Sequence, residues 1–288
     1  MSNGLNISLK SYDSIFQSEE QRNTEEIKPV PISELKPFTE QPFKVKLDED
    51  MDALVESIKQ CGVLTPVIAR PHKDGGYEIL SGHRRVKACE LAGITDIPVV
   101  IKNLDDDTAT ILLVDSNLQR EHILPSEKAF AYQMKLEAMK RQGARTDLTS
   151  SQFATKLEKG RSDVELGEQV GESKDQIRRY IRLTNLIDPI LDMVDNNQIA
   201  MNAAVEISYL GSKEQAAVMQ SIEKEETSPS IAQARKMRKF HQEGNLSNAV
   251  IDSIMMEQKP ETVKITLGED KLKKYFPKSY SKAKMENT

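Results

Sequence analysis

A short run of small and basic residues in the first third of the chain has the composition of an anion site. The run contains a serine, a glycine, a histidine and two arginines: Ser81, Gly82, His83, Arg84 and Arg85. A glycine turn before a helix leaves backbone N–H groups free, and the helix dipole adds partial positive charge. Arginine is disfavoured at that end of a helix unless an anion is bound nearby. The run therefore predicts a phosphate site that is not a P-loop.

The same run is compatible with an ordinary surface helix, in which the arginines pair with Glu78 or Glu90. Around it, residues 48–62 show the one-face apolar spacing of a helix, with Asp48 as cap and Gly62 as stop. TPVIAR and YEIL predict two strands joined by a turn, HRRVKACELA predicts a helix, and DIPVVI predicts a third strand. Residues 28–104 are therefore predicted to form a small α+β domain.

The rest of the chain divides into segments of different character. Residues 105–143 predict two helices that extend the α+β domain, RTDLTSSQ predicts a polar link, and residues 144–242 predict an all-helical domain. Residues 1–27 are polar without a clear period and predict a flexible arm. Residues 243–288 form a charged C-terminal segment. The predicted fold class is thus α+β, followed by an all-helical domain.

A helix-turn-helix is predicted within residues 162–186. Residues 164–170 form its first helix, Gly171 supplies the positive-φ turn position, and Ser173 caps the second helix. The second helix carries the predicted DNA contacts: Ser173, Lys174, Gln176, Arg178, Arg179 and Arg182. A helical hairpin with a solvated basic face is the alternative.

Within that second helix, position along the motif separates base contacts from phosphate contacts. The N-terminal end of such a helix reaches base edges in the major groove. We therefore expect Lys174 and Gln176 to read bases, with Arg179 as a third candidate. Arg178 and Arg182 are expected to contact phosphates.

Charge is segregated around the predicted motif. The first helix and the turn are acidic, and DNA would repel them, so we expect their carboxylates on the side away from DNA: Asp163, Glu165, Glu168 and Glu172. A later basic cluster, ARKMRKFHQ, is predicted to be a solvated helix end, with a second DNA-backbone contact as the alternative.

Composition limits the function classes. The 288 residues carry a formal net charge of −5, so a nucleic-acid site has to arise from local segregation of charge. The two cysteines, Cys61 and Cys89, have no metal-type spacing and predict free thiols in a reducing compartment. The chain shows neither a membrane-spanning apolar run nor a signal peptide, so we expect a cytoplasmic, nucleoid-associated protein with no membrane partner.

Three stretches in order resemble the boxes of the ParB-type partition protein family: ESIKQCGVLTPVIAR, SGHRRVKACELAG and VDSNLQREHILPSEKA. The resemblance extends from about residue 31 to 210 and is greatest to ParB-like proteins of Gram-positive plasmids and integrative elements. It implies a ParB/sulfiredoxin-like N-terminal domain that binds CTP with Mg²⁺. The loop Gly62, Val63, Thr65 and Pro66 would lie against cytosine, and residues 81–85 would face the triphosphate. Asn117 would help hold Mg²⁺, and Gln119 and Arg120 would complete the phosphate side.

Two departures from the family pattern bear on catalysis. The family often has glutamate where this chain has His83, and its third box usually begins Glu-Asn where this chain has Ser116-Asn117. A carboxylate that could ligate Mg²⁺ or position water is therefore missing, so binding is predicted more firmly than slow CTP hydrolysis. A sulfiredoxin activity is rejected because Cys89 lies outside the Gly-His-Arg turn.

The function implied by the resemblance is that of a sequence-specific partition protein with a CTP-responsive clamp. It would bind double-stranded DNA at a palindromic, centromere-like site as a homodimer, and a ParA-type ATPase would bind the arm. Dimerisation is expected either through VIDSIMM with TVKITL or through the N-terminal domains. The alternatives are a transcriptional regulator of a mobile element and a small-molecule phosphotransferase.

Overall fold

The structure, a computed structural model, describes residues 27–39, 41–120, 122–149 and 161–257. Within these ranges the chain forms an α+β half followed by a helical half, and the predicted fold class is confirmed. The predicted arm up to residue 26 and the TVKITL patch lie outside the described residues.

A five-stranded mixed sheet forms the centre of the α+β half. Its strands are β1 (Ile27–Pro31), β2 (Leu35–Pro37), β3 (Val67–Pro71), β4 (Tyr77–Ser81) and β5 (Asp96–Ile101). Their spatial order is β1-β5-β3-β4-β2. Strand β3 is antiparallel to β4 and parallel to β5. The three predicted strands are therefore confirmed, and they are the inner strands of the sheet.

The two edge strands are absent from the prediction because their sequence reads only as an extended, proline-marked entry. Strand β1 contains Pro29 and Pro31 and pairs antiparallel with β5, and β2 ends at Pro37 and pairs parallel with β4. Proline lacks a backbone N–H, so it disturbs the hydrogen-bond ladder least in a strand that has a neighbour on one side only. These residues become strands only because distant segments supply partners.

Three helices complete the α+β half: α1 (Glu49–Cys61), α2 (His83–Ala92) and α3 (Asp106–Leu118). As predicted, Asp48 caps α1, accepting from the N–H of Met51 at 3.0 Å, and Gly62 ends it with a φ of 70°. Helices α1 and α2 cover the sheet through a common core of buried apolar residues that includes Met51, Val86 and Cys89. Helix α2 therefore begins directly after β4, at a fixed position above the sheet.

Helix α4 (Pro125–Thr149) is longer than the sequence predicts. The predicted polar link RTDLTSSQ is wrong over its described part, because residues 145–149 continue the helix. RTDLT contains neither proline nor glycine, so nothing in it stops the helix. Buried Tyr132 and Lys135 lie on α4, between the two halves.

The helical half contains seven further helices in the described residues. They are α5 (Arg161–Val170), α6 (Lys174–Arg182), α7 (Asp188–Asp195), α8 (Met201–Ile207), α9 (Ser212–Glu225), α10 (Ile231–Gln242) and α11 (Asn248–Met256). Helices α7 to α11 share one apolar core. Ile251, Ile254 and Met255 of VIDSIMM are buried in this core, whereas Met256 is exposed, so dimerisation through this patch together with TVKITL stays a prediction.

Polar contacts of α4 join the two halves. The backbone N–H and the hydroxyl of Ser126 both donate to Asp195, at 2.9 and 2.5 Å. Glu172, in the turn between α5 and α6, accepts from Lys128 at 3.0 Å and from the hydroxyl of Tyr132 at 3.1 Å. Helix α4 thereby holds the helical half next to the α+β half. Among the described residues, none of the helices combines the length and apolarity needed to cross a bilayer.

Candidate nucleotide and DNA sites

Gly82 starts helix α2 in a conformation that favours glycine. Its φ is 105°, in the left-handed region, and an added Cβ would lie 3.0 Å from Cγ2 of Val67. No side chain caps this end of α2, and its first turn contains no acidic residue. Helices α1 and α3 by contrast are capped by Asp48 and Asp105. Among the helices of the α+β half, the amino end of α2 is thus the one that lacks a side-chain acceptor.

Arg84 extends from this uncapped end towards helix α1. Its Nη2 lies 3.3 Å from Oδ1 of Asp48, the same oxygen that caps α1. Both side chains are partly exposed, so the pair is open to water. The predicted alternative partners are wrong for Arg84: Glu78 pairs with Arg70, and Glu90 pairs with Lys87.

His83 and Arg120 bring a neutral ring and a second cation to the same place. Burial lowers the pKa of His83 from its usual 6.5 to about 4, and the charge of Arg120 acts in the same direction, while Glu78 opposes it. Nε2 of His83 accepts from the backbone N–H of Phe38 at 3.5 Å, which fits a neutral imidazole. The ring therefore stays uncharged at neutral pH.

Arg120 follows helix α3 and lies within electrostatic reach of Arg84. Burial lowers the pKa of Arg120, and the charge of Arg84 lowers it further, whereas Glu127 raises it. Two guanidinium groups from different elements are therefore within electrostatic range of each other near the start of α2. An anion that binds between the two guanidinium groups is favoured, because it offsets the repulsion between their charges. We refer to Gly82, His83, Arg84 and Arg120 as the cradle.

Arg85 is directed into the loop of residues 62–66. Its Nη1 donates to the carbonyl oxygens of Thr65 and Pro66, the latter at 2.7 Å. Burial lowers the pKa of its guanidinium. In this structure Arg85 fixes the loop that is predicted to face the base. Its predicted contact with phosphate stays a prediction, as do those of the loop residues with cytosine.

The remaining predicted nucleotide residues lie around this arrangement. Ser81 is the last residue of β4 and is half-buried. Gln119 is exposed at the end of α3 and lines a cleft of about 540 Å³ with residues of α4 and α5. Asn117 donates through Nδ2 to the carbonyl oxygen of Leu113 at 2.8 Å. Because the amide nitrogen makes that bond, Oδ1 of Asn117 remains an acceptor.

Mg²⁺ fits this donor set only as an ion shared with phosphates. The described residues contain no group of three or more His, Cys, Asp or Glu side chains that could hold a metal. Mg²⁺ commonly binds through one or two protein oxygens plus substrate phosphates and water. A single amide oxygen, that of Asn117, is compatible with that mode.

Glu78 is a site residue that the sequence predicts only as a surface partner. It is buried, lies 2.7 Å from Arg70 across the β3–β4 hairpin, and accepts from the N–H of Thr39 at 3.3 Å. Its charge opposes the fall in the pKa of His83. The feature that could have identified Glu78 is the register of the β3–β4 hairpin, because this register places Arg70 and Glu78 directly opposite each other.

The helix-turn-helix forms as predicted from α5 and α6. Gly171 has a φ of 70°, and the hydroxyl of Ser173 accepts from the N–H of Gln176 at 3.2 Å. Ile177 is fully buried. Gly167 is missed by the sequence prediction: a Cβ there would lie 2.6 Å from the carbonyl oxygen of Glu172, so α5 and the turn approach closely only because the residue is glycine.

The cations of α6 differ in how far they are already engaged. Arg178 pairs with Asp163 at 2.8 Å, and Nζ of Lys174 lies 3.7 Å from the same carboxylate. The expectation that the acidic residues lie on the side away from the basic face of α6 is therefore wrong for Asp163. Its carboxylate is buried, and a buried carboxylate without a cation beside it would be costly. Arg179 is exposed. Arg182 donates to the carbonyl oxygen of Ser208 at 2.9 Å.

The fold and the candidate sites together define a two-domain protein, with an α+β domain that contains the cradle residues and a helical domain that contains a helix-turn-helix. Comparison with protein families agrees with both halves. Residues 16–118 match the ParB N-terminal domain, and residues 162–243 match the ParB HTH domain. The chain belongs to the ParB family.

Relatives of the chain include proteins of two described roles. The nucleoid occlusion protein of Geobacillus kaustophilus (strain HTA426) is 36% identical over 149 residues, which cover 51% of this chain and 50% of that protein. The probable chromosome-partitioning protein ParB of Neisseria meningitidis serogroup A is 34% identical over 157 residues, covering 54% and 48%. The chain thus spans about half the length of the curated relatives it matches.

Two solved structures of the C-terminally truncated chromosome-partitioning protein ParB from Caulobacter crescentus are also similar. The one complexed to the centromeric parS site is 21% identical, with a TM-score of 0.43, and covers 80% of this chain and 100% of that chain. The one complexed with CTP-gamma-S is 24% identical, with a TM-score of 0.32, and covers 68% and 98%.

Proposed function

We propose that the chain is a DNA-binding partition protein whose N-terminal domain binds CTP in the cradle. The observation that carries the nucleotide part is the amino end of α2, which has no side-chain cap and lies within electrostatic range of the Arg120 guanidinium as well as carrying Arg84. Free N–H groups, the helix dipole and arginine together favour a phosphate. The identity of the base rests on the family resemblance, and the loop fixed by Arg85 is the segment that would recognise it.

Binding of the triphosphate changes the partners of the cradle residues. Arg84 contacts Asp48, so an incoming phosphate competes with a carboxylate for the same guanidinium. Arg120 supplies a second guanidinium from the end of α3, which ties that end of the helix to the nucleotide. His83, being neutral, adds no charge and can accept or donate one hydrogen bond. The nucleotide thereby connects α1, α2 and the end of α3.

Mg²⁺ bound with the nucleotide would neutralise part of the phosphate charge. Asn117 would hold it through Oδ1, with phosphate oxygens as the other ligands. Asp115, the acidic residue next to Ser116 in the sequence, does not provide a base for water activation, because it pairs with buried Lys135. The hydroxyl of Ser116 donates back to the carbonyl oxygen of Leu113. The cradle is therefore suited to nucleotide binding as a switch, with slow hydrolysis at most.

The helix-turn-helix would bind a palindromic site as a homodimer. Lys174, Gln176 and Arg179 lie in the part of α6 that enters the major groove in such motifs. A dimer of the chain presents two such helices, which explains a palindrome. CTP would then favour engagement of two N-terminal domains around DNA, and a ParA-type ATPase would bind the predicted arm, residues 1–27.

The biological setting is proposed as segregation or maintenance of a plasmid or other mobile element. Relatives named for partition and for nucleoid occlusion match over a similar share of the chain, so a nucleoid-occlusion role is the second candidate. A transcriptional regulator of a mobile element would use the same two domains. A neighbouring ParA-type gene favours partition over both.

Competition binding tests the nucleotide part directly. Radiolabelled CTP is bound to the chain with Mg²⁺, and unlabelled CTP, UTP, ATP and GTP compete, with and without DNA that the chain selects from a random pool. We expect CTP to compete at least roughly tenfold better than the other three, which corresponds to about 1.4 kcal/mol. Equal competition by all four nucleotides would contradict the proposed CTP switch, but it would not contradict the proposed DNA binding.

A further inference from the structure

Helix α8 lies beside the recognition helix α6. At one end, Nε2 of Gln176 lies 3.8 Å from Sδ of Met201, and at the other Arg182 donates to the carbonyl oxygen of Ser208. Helix α10 also packs on α8, and Arg235 and Arg238 donate to Glu206 at 3.3 and 2.9 Å. The three helices therefore form one continuous surface that extends from α6 to α10.

Two arginines from different helices stack on one tyrosine of this surface. The guanidinium carbon of Arg182 lies 4.0 Å from the ring centroid of Tyr209, and that of Arg238 lies 3.5 Å from it. Stacking on an aromatic face fixes the plane of a guanidinium and reduces the entropy lost when it binds an oxyanion. We refer to Arg182, Tyr209, Arg235 and Arg238 as the arginine strip.

The arginine strip carries more positive charge than its acidic neighbour can balance. Glu206 serves both Arg235 and Arg238. In the part of the chain that the structure describes, Arg182 makes one hydrogen bond, to a backbone carbonyl, and no ion pair. A guanidinium has five N–H donors, so the largely exposed Arg235 retains donors for an anion, whereas Nε of Arg182 is buried.

We propose that the arginine strip extends the phosphate contact expected of Arg182 to Arg235 and Arg238 of α10, so that the backbone of the duplex that α6 enters is also bound beyond the helix-turn-helix. The inference rests on the proposed DNA-binding function. Arg182 is the last residue of α6, and the amino end of such a helix points to the bases, so its carboxyl end leaves the groove next to a sugar-phosphate strand. The arginine strip continues from that point, which favours DNA over an acidic protein as the partner.

A backbone contact has a measurable signature that differs from base reading. Removing a cation from a phosphate weakens binding to every sequence alike and makes the salt dependence less steep. The test uses fluorescence anisotropy at several salt concentrations between about 50 and 300 mM. One labelled duplex has random sequence, and the other is a duplex that the wild-type chain selects from a random pool.

Arg235→Gln and Arg238→Gln are each expected to weaken binding to both duplexes by the same factor, roughly three- to tenfold. The slope of log K against log salt should become shallower by about 0.9 for each phosphate that is no longer neutralised. Gln176→Ala provides the contrast, because a base reader should lose affinity mainly for the selected duplex. Arg235 is 70% exposed, so Arg235→Gln tests the proposal even if Arg238→Gln disturbs the tyrosine stack.

Lys236→Gln is the matched control on the same helix. It removes the same charge, but Lys236 pairs with Glu257 after α11, whereas Arg235 and Arg238 pair with Glu206 on α8. It should leave the affinity and the salt slope unchanged. If the wild-type chain binds both duplexes and the two arginine variants behave like Lys236→Gln, the inference is wrong while the proposed function stands. If the wild-type chain binds neither duplex, the proposed DNA-binding function itself fails.

Discussion

The guanidinium of Arg84 lies 3.3 Å from the carboxylate of Asp48, although the two residues begin different helices. The same carboxylate oxygen accepts from the N–H of Met51 and so caps α1. Asp48 therefore has two functions, one in the stability of α1 and one as a negative charge next to the cradle. A bound phosphate therefore has to share Arg84 with the Asp48 carboxylate or displace that carboxylate from Arg84.

Asp48→Asn should separate these two functions. Asparagine caps helices about as well as aspartate, so α1 keeps its cap, while the charge that competes with phosphate disappears. We expect the Kd for CTP to fall by roughly threefold, a free-energy change of about 0.7 kcal/mol, in isothermal titration calorimetry. Asp50→Asn is the control, because Asp50 is an exposed acid in the same turn. A higher Kd for CTP in Asp48→Asn would contradict this prediction and would show that the carboxylate supports nucleotide binding.

Arg84→Ala should separate nucleotide binding from DNA binding. Removing one charged phosphate partner should weaken CTP binding by at least roughly tenfold. Affinity for the selected DNA duplex should stay within about twofold of wild type, because α6 lies in the other half of the chain. Lys87→Ala, on the same helix but paired with Glu90, is the control. Equal loss of both activities would make Arg84 a structural residue.

His83 should make stability depend on pH in a defined direction. Its pKa is lowered to about 4 in the folded chain, so the unfolded chain takes up the proton first as the pH falls below 6.5. The contribution of His83 to the free energy of unfolding should therefore fall by about 2 kcal/mol between pH 7.5 and pH 5.

Urea unfolding of the wild type and His83→Gln at these two pH values measures the effect. The pH-dependent loss should be smaller in His83→Gln by that amount, whatever the variant does to stability at pH 7.5. His122→Gln is the matched control, because His122 is an exposed histidine. The same pH dependence in wild type and His83→Gln would mean that His83 titrates normally.

Much of the fold is predictable because its signals are local. The inner strands β3, β4 and β5 show apolar runs, and α1 shows both its cap and its stop, Asp48 and Gly62. The edge strands β1 and β2 are not predictable in this way, since they pair with segments far along the chain. The end of α4 is missed because polar residues without glycine or proline permit either a helix or a link.

The candidate site divides in the same way. The run around Gly82 is visible in the sequence because its glycine and arginines are adjacent. The approach of Arg120 to Arg84, and the engagement of Arg85 by the carbonyls of Thr65 and Pro66, depend on tertiary packing. The pairing of Arg178 with Asp163 likewise joins two helices. Charge segregation in the sequence predicts instead that Asp163 lies away from the basic face of α6.

Gly167→Ala should destabilise the helix-turn-helix. The new Cβ would lie 2.6 Å from the carbonyl oxygen of Glu172, which is backbone and cannot move aside without shifting the turn. We expect a loss of roughly 1–3 kcal/mol in the free energy of unfolding and weaker DNA binding. Glu168→Ala, one residue further along α5 and exposed, should cost little. Thermal unfolding by circular dichroism compares the two, and equal melting temperatures would contradict the close approach.

A crystal structure of the chain grown with CTP and Mg²⁺ would show whether the cradle is the nucleotide site. We expect triphosphate density at the amino end of α2, within hydrogen-bonding distance of Arg84 and Arg120, with Arg84 turned from Asp48 towards phosphate. CTP bound elsewhere, with the Arg84–Asp48 pair intact and the cradle filled only by water, would contradict the proposed function of the cradle.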